Sequence, residues 1–239
     1  MTTQPAFGAP VTGWTPPPRP TGAALTGRYS HLEALSAEDH ADQLYPAYAG
    51  QDHVWNYMPY GPFASAEAYA GWVRDHAGVP DPFFYAVRNL ASGHWEGVAS
   101  YLRIAPEAGS IEVGHINFSP ALQRTPAATE AIFLMMEWAF AAGYRRFEWK
   151  CDALNVPSRR AAQRFGLSFE GVFRQATVVK GRNRDTAWFA AIDTEWPALK
   201  AAFETWLDPD NFDEDGRQRV RLGDLTGPVR VSGDPTLAG

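Results

Sequence analysis

The stretch SPALQRTPAATEAIF (residues 119–133) joins a β-rich run to the strongest helical run of the sequence. The β-rich run before it, SIEVGHINFS (110–119), predicts a strand. Apolar residues then recur at helical spacing: Ile132, Phe133, Met136 and Phe140. A helix is therefore predicted from about Pro126 to Ala142, ended by Gly143. Because the first N–H groups of a helix are unpaired and its dipole is positive there, the start of this helix is suited to an anion.

Similar runs lie on both sides of this stretch. Strands are predicted at 31–35, 83–89, 94–104, 110–119, 145–153, 169–180 and 185–193. Helices are predicted after Ser36 and Ser65 as N-caps, from Pro126, and in NVPSRRAAQRF (155–165). The order β-α-α-β-β-β-α-β-α-β-β favours a mixed α/β (α+β) domain with one central sheet flanked by helices.

Three regions differ in composition. Residues 1–24 are rich in proline, threonine and glycine and are predicted to be poorly ordered or to lie over the surface. Residues 25–195 form the predicted domain. Residues 196–239 are interpreted as a C-terminal helix followed by an extension that is acidic, then mixed in charge.

Composition excludes several classes of protein. A single cysteine among 239 residues excludes a disulfide framework and a cysteine metal cluster, and no metal site is expected. Without a signal-like segment or a run of roughly 18 apolar residues, no membrane association is expected and the predicted location is cytoplasmic. The net charge of −6 argues against nucleic-acid binding and mildly favours a cationic partner such as an amine.

The element order, together with VGHINFSPALQRTPAATEA (113–131) and NVPSRRAAQRFGLSFEGVFR (155–174), resembles the GNAT superfamily of acetyl-CoA-dependent N-acetyltransferases. The resemblance is nearest to the branch of the ribosomal-protein N-terminal acetyltransferases and covers about residues 25–195. It implies a mainly antiparallel central sheet and acetyl-CoA as the cosubstrate. The acceptor it implies is an amine-bearing small molecule or a peptide N-terminus. It also allows a homodimer.

The resemblance assigns the pyrophosphate of coenzyme A to the turn that opens the central helix. The family pattern Q/R-x-x-G-x-G/A aligns with residues 123–128, where Pro126 replaces the first glycine. Proline lacks an N–H but is favoured in the first helical turn, so at most one donor is lost. The N–H groups expected to remain available are those of Arg124, Thr125, Ala127, Ala128 and Thr129. The expected cofactor-binding residues are Phe118, Gln123, Arg124, Thr125, Ala127, Ala128, Thr129, Asn155 and Ser158. The alternative for this turn is an ordinary strand-to-helix loop.

The resemblance places Asn155 and Ser158 beside the pantetheine arm and the sulfur of coenzyme A. An Asn side chain can bond amides, and a Ser hydroxyl can donate to a departing thiolate. The alternative is that Asn155 caps its helix and Ser158 is a residue of the first turn. Arg159 and Arg160 are candidates to meet phosphates or to face solvent.

Catalysis requires a donor to the acetyl oxygen and a group that takes a proton from the amine. The donor is expected to be a backbone N–H of the strand segment 116–118, which is predicted to separate from its neighbouring strand so that the N–H is free. One residue more than the common family pattern predicts a bulge there. Glu112 and His115 are the candidate bases, and Ser158 the third catalytic candidate. The two bases lie on opposite faces of a regular strand, so without a bulge only one faces the substrate. A structural ion pair for Glu112 and a packing role for His115 are the alternatives.

The resemblance implies that side chains of the segment WNYMPYGPF (55–63) wall the acceptor groove, namely Trp55, Tyr57, Met58 and Tyr60. Core packing is the alternative for them. The sequence also leaves open a detoxifying acetyltransferase for an antibiotic or toxin amine, and a coenzyme A-binding module without catalysis. It does not identify the acceptor.

Overall fold

A computed structural model describes residues 7–237 of the chain. Its strands are β1 (Leu25–Thr26), β2 (Ser30–Ala34), β3 (Phe83–Asn89), β4 (His94–Ala105), β5 (Ser110–Phe118), β6 (Arg146–Asp152), β7 (Ser168–Val179) and β8 (Arg182–Ile192). They form one sheet in the order β1-β2-β3-β4-β5-β6-β8-β7. All neighbours are antiparallel except β5 and β6, which are parallel. The expected mixed, mainly antiparallel sheet flanked by helices is confirmed.

Within the part of the chain that the structure describes, six α-helices accompany the sheet: α1 (Ala37–Tyr48), α2 (Ala66–His76), α3 (Pro126–Ala141), α4 (Val156–Arg164), α5 (Trp196–Leu207) and α6 (Leu222–Thr226). The predicted serine caps are confirmed, because the side chain of Ser36 accepts from Asp39 N and that of Ser65 from Ala68 N. Local sequence therefore decides where these helices begin.

The two faces of the sheet carry separate cores. On one face α3 packs against the central strands, and Tyr101 Oη donates to Met135 O at 2.7 Å. On the other face α1 and α2 enclose a cluster rich in aromatic residues, which includes Trp55 and Tyr69 and rests on β3 and β4. We call this second side the α1–α2 face.

The sheet opens between its two parallel strands. The pairing of β5 with β6 ends at Val113 and Trp149. Beyond that point β5 stays paired with β4 as far as Phe118, and β6 stays paired with β8 as far as Asp152. The strands therefore separate toward their C-terminal ends, and the predicted separation of this strand from its neighbour is confirmed.

The bulge predicted in β5 is present. Val98 pairs with Asn117 and Ser100 with Gly114, so one residue of β4 lies opposite two of β5. His115 lies in the bulge with φ of 49°, in the left-handed region. The extra residue shifts the alternation of side chains along the rest of the strand.

Described residues on both sides of 25–195 pack against the domain. Residues 1–6 of the proline-rich segment lie outside the described residues. Further along, Tyr144 Oη donates to Pro18 O and Arg19 to Ile104 O. After α5, the C-terminal extension returns to α4, where Asp234 meets Arg159. No helix within residues 7–237 is long and apolar enough to cross a membrane.

Candidate active site

The turn before α3 is held by its own side chains. Thr125 is the N-cap, with Oγ1 accepting from Ala128 N at 3.1 Å and donating to Leu122 O at 2.6 Å. Pro126 is the first helical residue, as predicted, where a missing N–H costs nothing within the helix. Gln123 Nε2 donates to Phe118 O at 2.7 Å and ties the turn to the end of β5.

Fewer backbone donors are available here than the sequence predicted. Of the five expected N–H groups, that of Thr125 bonds Leu122 O and that of Thr129 bonds Thr125 O. Ala128 N bonds the cap, so the expectation of free N–H groups at these three residues was wrong. The sequence analysis did not consider Thr125 as an N-cap. Its side chain accepts a hydrogen bond from an N–H of the first helical turn, so that N–H is not available to a ligand. Arg124 N and Ala127 N have no hydrogen bond within the described residues.

Arg124 adds a charge to these two donors. Its φ of 64° is unusual for a residue with a side chain, and its guanidinium is exposed. A left-handed residue turns successive N–H groups toward one side of the chain, which suits an anion. The turn therefore has two unpaired N–H groups and one cation at a helix N-terminus.

Asn155 and Ser158 lie across the opening, after β6. Asn155 Oδ1 accepts from Ser158 N at 3.2 Å and caps α4, as its alternative interpretation predicted. Ser158 Oγ accepts from Trp149 Nε1 at 3.0 Å, and its own hydroxyl lies within hydrogen-bonding reach of the Cys151 thiol. Cys151 nearby is buried, and burial raises its thiol pKa to about 11, so it stays neutral.

Arg159 is not available to a phosphate. Its guanidinium is buried and makes two hydrogen bonds to Asp234 and one to Ala153 O, at 2.7 Å. The expectation that it meets phosphate or faces solvent was wrong, because the C-terminal extension folds back over it. Arg160, by contrast, is exposed.

Glu112 lies in a chain of charges on the α1–α2 face. It is 2% exposed, with Arg103 Nη1 at 2.8 Å and Lys150 Nζ at 2.9 Å from its oxygens. Lys150 also lies 2.7 Å from Glu148 Oε2 and stacks 3.7 Å above the ring of Trp188. Burial raises the pKa of Glu112, and the two cations oppose that rise. The arrangement is the structural ion pair that had been the alternative to a base.

His115 lies on the same face as Glu112, because the bulge adds a residue between them. Its ring stacks on Tyr60 with centroids 5.6 Å apart, and Nδ1 lies 3.1 Å from Tyr60 Oη. Burial, followed by the positive charges of neighbouring side chains, lowers the pKa of His115 to about 4. The imidazole is therefore neutral at pH 7 and can accept a proton but not donate as an imidazolium.

The three aromatic residues expected to wall the acceptor groove have different environments. Trp55 is 3% exposed and packs within the core of the α1–α2 face, as its alternative predicted. Tyr57 is exposed and its hydroxyl donates to Leu154 O at 3.1 Å, across the opening. Tyr60 contacts His115. Lys180, at the turn between β7 and β8, donates to Trp55 O at 2.9 Å and ties the hairpin to this loop.

Sequence reasoning missed Lys150 and Arg103 as partners of Glu112. The sequence does contain a signal for Lys150, because Glu148 and Lys150 are two residues apart and therefore lie on the same face of β6. Nothing local marks Arg103, which reaches Glu112 from β4. Among residues 7–237 there is no group of three or more metal-ligating side chains.

Comparison with known proteins gives the same fold. Residues 31–168 match the family model described as an acetyltransferase (GNAT) domain. A GCN5-related N-acetyltransferase from Brucella melitensis is 45% identical, with a TM-score of 0.89 over 91% of this chain and 100% of that one. A probable acetyltransferase of the GNAT family from Chromobacterium violaceum is 42% identical, with a TM-score of 0.76 over 82% and 100% of the two chains. No curated protein matches the sequence.

Two more distant structures share the fold alone. RimL, a ribosomal L7/L12 alpha-N-protein acetyltransferase, is 20% identical with a TM-score of 0.62, over 74% of this chain and 99% of that one. The self-immunity acetyltransferase MccE, solved with acetyl-CoA and AMP, is 18% identical with a TM-score of 0.62, over 70% and 93%. The fold that the resemblance to the ribosomal-protein acetyltransferases implied is therefore confirmed.

Proposed function

This chain belongs to the GNAT family of acetyltransferases, and on that premise we propose that it acetylates a primary amine by direct attack within a ternary complex. The acceptor is the amine of a small molecule or of a peptide N-terminus. Acetyl-CoA, the family's cosubstrate, supplies the acetyl thioester. The observation that carries the proposal is the opening between β5 and β6, with unpaired donors at one end and a neutral histidine beside it.

The residues around the opening fit coenzyme A. Arg124 N and Ala127 N have no partner within residues 7–237, and the Arg124 guanidinium is free to bond phosphate oxygens. Gln123, Thr125, Ala128 and Thr129 shape this turn. Phe118 ends the strand beside it. Asn155 keeps its side-chain N–H groups for a pantetheine amide. In MccE, a structure of this fold, acetyl-CoA is bound.

The bulge of β5 is the proposed place of the oxyanion donor. Backbone N–H groups on the free edge of the segment 116–118 face the opening because β6 no longer pairs there. A fixed N–H aimed at the developing negative charge lowers the barrier, typically by about 3 kcal/mol. The Ser158 hydroxyl, whose proton can turn from the Cys151 thiol to the ligand, is proposed to protonate or bond the leaving sulfur.

We assign proton transfer to His115 and a positioning role to Glu112. As the nitrogen–carbon bond forms and the carbon–sulfur bond breaks, the nitrogen becomes acidic and loses a proton. Neutral His115, bonded to Tyr60, can take that proton even with a low pKa, because the nitrogen becomes a much stronger acid as its bond to the acetyl carbon forms. Glu112 is held between the side chains of Arg103 and Lys150 and is proposed to fix the position of the strand next to the bulge.

A panel of amines and short peptides, assayed by release of free thiol from acetyl-CoA, tests the proposal. We expect acetyl-CoA to raise the melting temperature and His115→Gln to lower kcat by about 100-fold, without changing the affinity for acetyl-CoA. If acetyl-CoA raises the melting temperature but no acceptor is acetylated, the protein is a coenzyme A-binding module without catalysis. The absence of stabilisation by either coenzyme A or acetyl-CoA would exclude both interpretations.

A further inference from the structure

Arg184 of β8 carries a charge that no acidic side chain balances. Its Nε is buried and has no hydrogen-bond partner within residues 7–237. Its guanidinium takes part in none of the ion pairs of the described chain. A buried donor of a charged group costs free energy when it lacks a partner, so such a group indicates a ligand or an ordered water.

The carboxylates that sequence and strand pairing bring nearest to Arg184 are bound to backbone N–H groups. Asp185, the next residue in β8, accepts from Gln175 N at 2.7 Å. Asp152, at the end of the neighbouring strand β6, accepts from Leu154 N at 2.8 Å. Neither forms an ion pair with Arg184, so the guanidinium is available to an external anion.

Arg184 lies at the edge of the opening between β5 and β6. β6 pairs with β8 no further than Thr186, and Arg184 lies two residues beyond that point. Alternation along β8 places Arg184 on the same face as Trp188. Lys150 stacks on the Trp188 ring and also contacts Glu112. Arg184 therefore shares the α1–α2 face with Glu112.

The hairpin that carries Arg184 is fixed at its turn. Lys180 Nζ donates to Trp55 O at 2.9 Å and joins the hairpin to the segment 55–63, which the resemblance assigns to the acceptor groove. This contact holds the strand of Arg184 beside the groove, so the guanidinium is positioned before a ligand arrives.

A second arginine lies on the other side of the opening. Arg103 belongs to β4, and its exposed side chain reaches Glu112 with Nη1 at 2.8 Å. In the sheet, β5 with His115 lies between β4 and β8. Burial lowers the pKa of His115, and interactions with His76, Arg103 and Arg184 lower it further. These three side chains are basic, so the electrostatic potential beside His115 is positive.

A positive potential at the acceptor position has two consequences. It attracts an anionic group of the acceptor, and a guanidinium suits a carboxylate because its planar N–H groups match both oxygens. It also lowers the pKa of an ammonium brought beside His115, which favours the neutral amine that attack on the thioester requires. An acceptor with positive charges alone, such as a polyamine, is repelled.

We propose that Arg184 binds a carboxylate that the acceptor carries next to its amine, and that Arg103 adds to the attraction from β4. The proposal rests on the proposed function and deepens it, because it names the acceptor as a free α-amino acid or a similar small zwitterion. Amines without a negative charge are poor acceptors.

The test compares amino acids with their amides, which have the same shape but no carboxylate. The panel is alanine, serine, leucine and phenylalanine, each with its own amide. We expect wild-type kcat/KM to favour the acids, and Arg184→Gln to lose roughly ten-fold on the acids, mainly through KM, and nothing on the amides. Affinity for coenzyme A should not change. Arg182→Gln, at an exposed arginine of the same hairpin, is the matched control and should alter neither.

Binding gives a second measurement that does not depend on turnover. Trp188 shares a face with Arg184, so tryptophan fluorescence with coenzyme A present should report binding of N-acetylalanine but not of N-acetylalaninamide. Arg184→Gln should weaken that binding roughly ten-fold. Such binding without acetylation of any amine would refute the proposed function and keep the carboxylate site.

Other outcomes would overturn the carboxylate site and keep the proposed function. One is acetylation of the acids and the amides with equal kcat/KM. Another is an Arg184→Gln variant that loses affinity for coenzyme A and activity on both kinds of acceptor, which would place Arg184 at the cosubstrate. Should Arg184→Gln fail to fold, Arg184→Lys, which keeps the charge without the planar fork, should still lose activity several-fold on the acids alone.

Discussion

Asp234 of the C-terminal extension binds Arg159 of α4 through both carboxylate oxygens, with Nε–Oδ2 at 2.6 Å and Nη2–Oδ1 at 2.7 Å. Both side chains are buried, and 75 residues of sequence separate them. The same guanidinium bonds Ala153 O in the loop that precedes Asn155. The extension therefore holds one wall of the proposed coenzyme A cleft.

We expect Asp234→Asn to lower the free energy of unfolding by about 3 kcal/mol, because Arg159 is left buried without a counter-charge. For a chain of this size that corresponds to a fall in melting temperature of about 10 °C. Affinity for coenzyme A should fall as well, since the loop at Ala153 loses its anchor. Asp215→Asn, which breaks an exposed pair with Arg217, is the control and should cost less than about 1 kcal/mol. Equal effects of the two substitutions would contradict this account.

His115 should make stability depend on pH in the acid range. Its pKa is about 4 in the fold and 6.5 when unfolded, so between these values only the unfolded state binds the proton. Stability from His115 is therefore complete above pH 6.5 and lost as pH falls toward 4, by at most about 3 kcal/mol. Urea unfolding at pH 7.5 and 4.5 should show a smaller loss in His115→Gln. His40, whose pKa is also lowered, contributes to both proteins and cancels in the comparison. An identical loss in both would show that His115 is not the group responsible.

Glu112→Gln and Glu148→Gln separate an ion-pair role from a catalytic one. Each removes one of the two carboxylates that contact Lys150, so each should reduce stability by about 1–3 kcal/mol. We expect kcat to fall less than ten-fold in both, because His115 is the proposed proton acceptor. A loss of 100-fold or more in Glu112→Gln alone would instead identify Glu112 as the base.

Arg124→Gly tests the anion-binding turn. Glycine adopts a positive φ without strain, so the substitution should leave stability unchanged or raise it by up to about 1 kcal/mol. Loss of the guanidinium should weaken coenzyme A binding by roughly ten-fold. Arg174→Gly, at an exposed arginine of β7, is the control for general charge effects. Unchanged affinity in Arg124→Gly would place the pyrophosphate elsewhere.

Local pattern was sufficient to predict most elements of the fold. The helices after Ser36 and Ser65 begin as predicted, and the strand at 83–89 matches β3 residue for residue. Such signals act between residues a few positions apart, where capping and side-chain alternation operate. The two-residue strand β1 gave no such signal and was not predicted.

The candidate site was predicted less completely. The bulge and the turn before α3 were expected, but the cap of Thr125 removes donors that had been counted as free. Trp55 was expected in a groove and lies in the core, since an aromatic run does not reveal which face is covered.

The sequence by itself determined the order of strands and helices, the caps and the proline at the start of α3, because neighbouring residues fix these features. Tertiary structure alone decided that Glu112 forms ion pairs with Arg103 and Lys150. It also decided that Arg159 pairs with Asp234 and is therefore not available to a phosphate. These contacts join residues far apart in the chain, and their energies depend on burial, which the local sequence does not specify.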